Sequence, residues 1–308
     1  MKKLIFILLL CITTSAFGQL RQKPMHGLQI NKAHQLGDPV AFWPFNEGSG
    51  NIVQDLSGNG NNLDITSGVI WVGDYLDFSG AVRVEKTSAI ALPNTQGTMT
   101  AIVKFDVAPG TKDEAIYCLS DGAAPANSIF LNFGTDDLLL LYCRAGGVGA
   151  NVFKHNNISA ILTTGIFYHI VTTWDTVTDD YKVYVDGISI SNDVPSVVGN
   201  PSDINKINLG TYGDLSKDLD GQIKIFSVYS RILSASEIAQ LYSMPFCMFE
   251  GDLTVAQMYD YSGAPPAPSG QFIMIQMTAI PFFVIFIIAS IFSIHDQYSN
   301  NKERKSVK

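Results

Sequence analysis

Cysteine is scarce in this chain, four in 308 residues, and no two stand at the CxxC spacing of a zinc or thiol-redox motif. Cys11 falls in an N-terminal apolar run. Cys118, Cys143 and Cys247 remain downstream, with room for one disulfide whose pairing the sequence does not specify. A basic excess is missing too: the net charge is −8, and losing Lys2 and Lys3 with a leader takes it to −10. That acidic balance argues against nucleic acid as a partner. Gly146-Gly147-Val148-Gly149 lacks the strand-to-helix setting and the lysine of a phosphate loop, and is expected to be a turn. No Ser, Cys or acid stands in catalytic spacing around His169, which is expected to be a satisfied core histidine. Trp43, Trp71 and Trp174 could stack on sugar rings if exposed, but are expected in the core. Asp175, Asp179 and Asp180 are expected to solvate a hairpin.

The two ends are distinctive. Met1-Lys2-Lys3, the apolar run Leu4 to Ile12 and Ala16-Phe17-Gly18 form the basic, apolar and small-residue parts of a signal peptide, so 1–18 is expected to be cleaved. About nine apolar residues are too few to span roughly 30 Å of hydrocarbon. Phe272 to Ile294 carries no charge and, as a helix, is long enough to cross a bilayer. Lys302, Arg304, Lys305 and Lys308 follow it and place the tail in the cytoplasm by the positive-inside tendency. The expected plan is a signal peptide (1–18), an extended leader (19–38), a β-sandwich (39–246), a Pro/Gly-containing stalk (247–271), a transmembrane helix (272–294) and a basic tail (295–308). The sandwich then lies outside the cytoplasm, in the periplasm or at the cell surface.

From Val40 onward short β-rich runs alternate with Gly, Asn, Asp and Pro. In Thr98 to Asp106 the residues Met99, Ala101, Val103 and Phe105 share one face, the period of a half-buried strand. Lys182 to Asp186 repeats this and ends on Gly187, as a strand entering a hairpin does. Runs at 115–119, 128–133, 138–144, 168–174, 206–209 and 222–229 continue the pattern, predicting an all-β sandwich or barrel. Ser234-Ala235-Ser236-Glu237 is a capping-box sequence. Ile238, Leu241 and Tyr242 follow at helical spacing, predicting a short helix whose stripe packs on the sandwich.

Three ordered segments resemble the laminin-G-like, concanavalin-A-like family. The first joins Trp43-Pro44-Phe45-Asn46-Glu47-Gly48-Ser49-Gly50 to Asp55-Leu56-Ser57-Gly58-Asn59-Gly60-Asn61-Asn62. Leu76-Asp77-Phe78-Ser79-Gly80 is the second. The third runs from Tyr168-His169-Ile170-Val171 through Tyr184-Val185-Asp186-Gly187 and Gly221-Gln222-Ile223 to Arg231-Ile232-Leu233-Ser234 and Glu237-Ile238. They span about residues 39 to 243, and the resemblance implies an antiparallel jelly-roll sandwich with one short C-terminal helix.

It also implies a structural calcium ion held by the first segment, with Asp55 and Asn61 as its ligands; the alternative is a metal-free turn closed by Asx hydrogen bonds. Lys224 stands where the family usually has Asp. Some relatives are glycoside hydrolases, which need paired carboxylates such as E-x-D-x-E on one strand face. Glu250-Gly251-Asp252 begins such a motif without completing it. The expected function is therefore a non-catalytic, membrane-anchored binding or adhesion module for glycans or surface proteins. A phage-associated virion or surface structural protein is the alternative, and a glycoside hydrolase the third.

Overall fold

The computed structural model describes residues 30–249 apart from 69, 79–82, 87, 123–125, 193–200 and 213–216. Contacts divide the chain after Leu253, and the described residues all belong to the first unit. The signal sequence, the apolar run 272–294, the basic tail and Glu250 to Asp252 lie outside the described residues. Among the described residues no helix is long and apolar enough to cross a membrane.

Two antiparallel sheets make a sandwich. The first holds β1 (Ala41–Trp43), β4 (Ile70–Val72), β5 (Tyr75–Asp77), β7 (Gln96–Phe105), β12 (Phe167–Asp175), β13 (Asp180–Val185), β14 (Ile188–Ser189) and β16 (Gly221–Tyr229). Its order is β14-β13-β12-β7-β16-β5-β4, with β1 also paired to β16. The second holds β2 (Ile52–Val53), β3 (Leu63–Ser67), β6 (Arg83–Glu85), β8 (Glu114–Ser120), β9 (Ser128–Gly134), β10 (Leu138–Ala145), β11 (Val148–Asn156) and β15 (Lys206–Leu209). Its order is β11-β10-β9-β8-β15-β6-β3-β2. Each strand run expected from the sequence is present. Met99, Ala101, Val103 and Phe105 of β7 all point into the core between the sheets, facing residues such as Leu131, Phe133 and Leu209. A polar tie crosses that core: the hydroxyls of Tyr117 on β8 and Thr172 on β12 share a hydrogen bond of 2.5 Å.

A second apolar cluster lies outside the first sheet. Phe42, Val171, Tyr184, Ile225 and Tyr229 point away from the core, and a bare aromatic face of this kind must be covered. The cover is helix α1 (Ala235–Ser243), which buries Ile238 and Leu241 against it. The capping box forms: Glu237 N donates to Ser234 Oγ at 3.3 Å, and Ser234 N donates to the Glu237 carboxylate at 2.8 Å. Tyr242 departs from the predicted stripe and is 40% exposed.

The same face corrects two boundaries. Residues 30–38, expected to extend as a leader, turn back onto the sandwich with Leu36 fully buried. Ile30 bridges to Phe249, and Met248 and Phe249 are buried in the same cluster, so 247–249 belong to the sandwich and not to a stalk. Short-range periodicity misses these segments because their burial is set by a sheet face far away in sequence.

Candidate functional site

Asp55 and Asn61, the expected metal ligands, do come together at the turn before β3. Asp55 Oδ1 accepts from Phe42 N at 3.0 Å and Ser57 N at 2.8 Å; Oδ2 accepts from Ser57 Oγ and Asn61 N, both at 2.8 Å. A carboxylate offers about four lone-pair positions, and here protein donors take them all. Asn61 Nδ2 donates to Val40 O at 2.8 Å. Lys32 Nζ donates to Ser57 O at 2.5 Å, and Lys86 Nζ to Gly60 O at 3.4 Å and Asn62 O at 3.5 Å. Calcium needs about six to eight oxygens, and ammonium groups already sit on the turn's carbonyls. The donor set does not fit a calcium ion. Among the described residues no group of three or more His, Cys, Asp or Glu is arranged to hold a metal. Gly58 and Gly60, at φ 84° and 72°, give the backbone the left-handed conformations that wrap it around Asp55.

A cleft of about 190 Å³ opens on the outer face of the first sheet, at the C-terminal edge of α1. Its floor is Ile102 on β7, His169 on β12 and Ile225 on β16; Phe167, Tyr242 and Phe246 wall it. Asp186 and Lys224 supply its charges. The His169 and Tyr242 rings lie nearly parallel, 6.1 Å apart at 17°. His169 N donates to Asp186 Oδ1 at 2.8 Å, and Asp186 N returns a bond to His169 O at 2.8 Å. Asp186 adopts φ 50° and Gly187 φ 81°, the two positive values of a type I′ hairpin turn, which fixes the carboxylate beside the cleft.

Lys224 sits where the register of β16 against β7 shifts between Ile223 and Ile225. A bulge places two residues against one and re-aims a side chain, so Lys224 and Ile225 both line the cleft. The Lys224 ammonium pairs with Asp74 at 2.8 Å and lies 5.7 Å from the Phe167 ring centre. Lys104 Nζ stands outside the mouth, 5.5 Å from Phe167 and 5.7 Å from Tyr75. His169 is buried as expected, and burial pushes its imidazole down to about 4, so it is neutral at neutral pH. It is not satisfied, however. Among the described residues Nδ1 is enclosed and has no hydrogen-bond partner, so any bond this ring makes to a group in the cleft falls to Nε2.

Other expected residues resolve simply. Trp43 and Trp174 are fully buried, while Trp71 is partly exposed and donates from Nε1 to Gly50 O at 2.8 Å. Asp175 Oδ1 accepts from Val177 N and Thr178 N in the β12–β13 turn. Gly146 and Gly147 turn β10 into β11. No disulfide joins Cys118, Cys143 and Cys247. Cys143 faces the core and Cys118 does not. β9 also lies between their strands, putting them two strand spacings or about 9.5 Å apart, beyond disulfide reach. Sequence reasoning missed the cleft as a unit. Its members come from distant segments, and only His169, Asp186-Gly187 and the departure at Lys224 stood out locally.

No curated protein sequence matches the chain. Among solved structures, the receptor binding domain of botulinum neurotoxin D is similar at 13% identity and a TM-score of 0.51, over 67% of this chain and 52% of that one. A Trypanosoma rangeli sialidase in complex with sialic acid is similar at 16% identity and a TM-score of 0.48, over 68% of this chain and 33% of that one. The chain thus spans about half of the first and a third of the second, and these likenesses concern the fold alone. The profile of the concanavalin A-like lectin/glucanases superfamily matches residues 77–239, just over half of the chain. The chain belongs to this concanavalin A-like lectin/glucanase superfamily.

Proposed function

We propose that the chain is a non-catalytic binding module, exported by its N-terminal signal and held at a membrane through residues 272–294, that recognises glycans or surface proteins. The observation that carries the reading is the make-up of the cleft beside α1. Aromatic and aliphatic walls surround a few fixed polar groups, as in recognition sites. Among the described residues Asp186 is the single carboxylate lining it, whereas retaining glycosidases set two about 5–5.5 Å apart. The Asp55 turn serves as an internally bonded corner of the scaffold and works without calcium. A botulinum neurotoxin domain described as receptor-binding shares the fold at a TM-score of 0.51, which is compatible with a recognition role.

The test is a glycan-array and surface-protein screen of the purified full-length chain, run beside a polysaccharide hydrolysis panel. Retention on a subset of ligands without release of reducing ends is expected. Turnover of any polysaccharide would overturn the non-catalytic reading, and retention on nothing would overturn the binding reading.

A further inference from the structure

We propose that the cleft beside α1 seats a primary alkylammonium, the end of a lysine side chain on a protein partner, against the Asp186 carboxylate and the Tyr242 ring. This rests on reading the chain as a binding module and specifies which chemical group of a surface protein its cleft takes. Charge is the first argument. On the Phe167 side the protein supplies the cations itself: Lys224, paired with Asp74 at 2.8 Å, and Lys104 stand 5.7 and 5.5 Å from that ring centre. Half-buried Asp186 is left without an ion pair among the described residues, and its Oδ2 without a hydrogen bond. A carboxylate without a counter-charge beside aromatic walls lets an ammonium gain an ion pair and a cation–π contact together. The net charge of −8 steers cationic partners toward the chain as a whole.

Hydrogen bonding and size narrow the cation. An ammonium offers three donors and accepts nothing. The groups that meet it are acceptors: Asp186 Oδ2, and the His169 imidazole, which burial keeps neutral and so able to hold one nitrogen lone pair. With the proton on Nδ1 that lone pair lies on Nε2, the nitrogen left to the cleft. A guanidinium fits less well, because its fork pairs best with two carboxylate oxygens and Oδ1 is already spent on His169 N. A carboxylate ligand would meet Asp186 and find Lys224 already paired with Asp74. About 190 Å³ falls below the roughly 300–1,000 Å³ of drug-sized sites and suits one side chain. The methylenes of a lysine would lie along Ile102 and Ile225 with the charge at the polar end, as lysine stems do on apolar surfaces.

The experiment uses the full-length chain with ¹⁵N-labelled histidine, titrated with a Gly-Lys-Gly peptide blocked at both ends. Counterparts carry Nε-acetyl-lysine, norleucine, arginine or glutamate in place of the lysine, and putrescine stands for a free amine. The lysine peptide should shift the His169 ring resonances and bind about tenfold or more tighter than the acetylated and norleucine peptides. Asp186→Asn, which keeps the oxygen that His169 N uses, should weaken the lysine peptide about tenfold or more and leave the norleucine peptide nearly unchanged. Tyr242→Ala should weaken the lysine peptide severalfold. Equal or tighter binding of any counterpart peptide, or of putrescine, would overturn the assignment. So would a failure of every peptide to shift His169, although the chain would remain a binding module for another ligand. Retention on nothing in the wider glycan and surface-protein screen is the separate result that removes the functional reading itself.

Discussion

The Asp55 turn and the cleft beside α1 are both anchored by an aspartate at a Gly-containing turn, yet they differ in what the protein leaves unused. At Asp55 both carboxylate oxygens are bonded twice, to donors that include the backbone of the buried strand β1. At Asp186 one oxygen serves the backbone of His169, and the neighbouring imidazole keeps Nδ1 without a partner among the described residues. Folding alone favours the first arrangement, because a buried polar group without a partner costs about 1–3 kcal/mol. The Asp55 bonds are spent on the fold, whereas among the described residues the cleft leaves an Asp186 oxygen open to whatever enters it.

That contrast can be broken by substitution. Asp55→Ala should cause the largest effect, a loss of about 4 kcal/mol of stability, since it strands the donors Phe42 N, Ser57 N and Asn61 N. Urea unfolding measures it, and a loss under about 1 kcal/mol would mean water can replace the carboxylate. His169 should show next, through pH. Its imidazole lies at about 4 in the fold against 6.5 unperturbed. Between these values the unfolded chain binds the extra proton, so stability falls by about 3 kcal/mol as pH drops from 6.5 to 4. The Glu114 carboxyl, pushed up chiefly by burial, works in the opposite direction, so the His169 part must be read as the difference from His169→Phe, which should lack it. Equal pH profiles in the two proteins would show that His169 is not held neutral. Tyr242→Ala, at an exposed ring, should cost less than about 1 kcal/mol of stability while weakening ligand binding. Smallest of all is the response to a chelator: thermal unfolding of the full chain in calcium or in EDTA should coincide. A stabilisation by calcium would show oxygen ligands that the Asp55 turn, as built, does not offer.

The architecture was open to sequence reading where local chemistry fixes it. The alternation through β7 put Met99, Ala101, Val103 and Phe105 in the core, and Ser234 and Glu237 capped the helix they announced. The Asp55 turn could be located from its Gly and Asn spacing, but its wiring could not. The same residues serve a metal or an all-protein turn, and the ammoniums of Lys32 and Lys86 arrive from other segments. The cleft was least visible. Ile102, His169, Asp186, Lys224 and Tyr242 are brought together by strand order, by a bulge in β16 and by the docking of α1, none of which leaves a fixed spacing in the sequence.

The most direct test measures two quantities on one variant, Asp186→Asn in the full-length chain: the urea midpoint and the affinity for whichever ligand the screen returns. If Asp186 carries an unspent recognition group, the unfolding free energy from that urea curve should stay within about 0.5 kcal/mol of wild type while affinity falls about tenfold or more. A protein that unfolds much more easily yet binds as before would contradict the account, because the carboxylate beside the cleft would then be holding the fold, as Asp55 does.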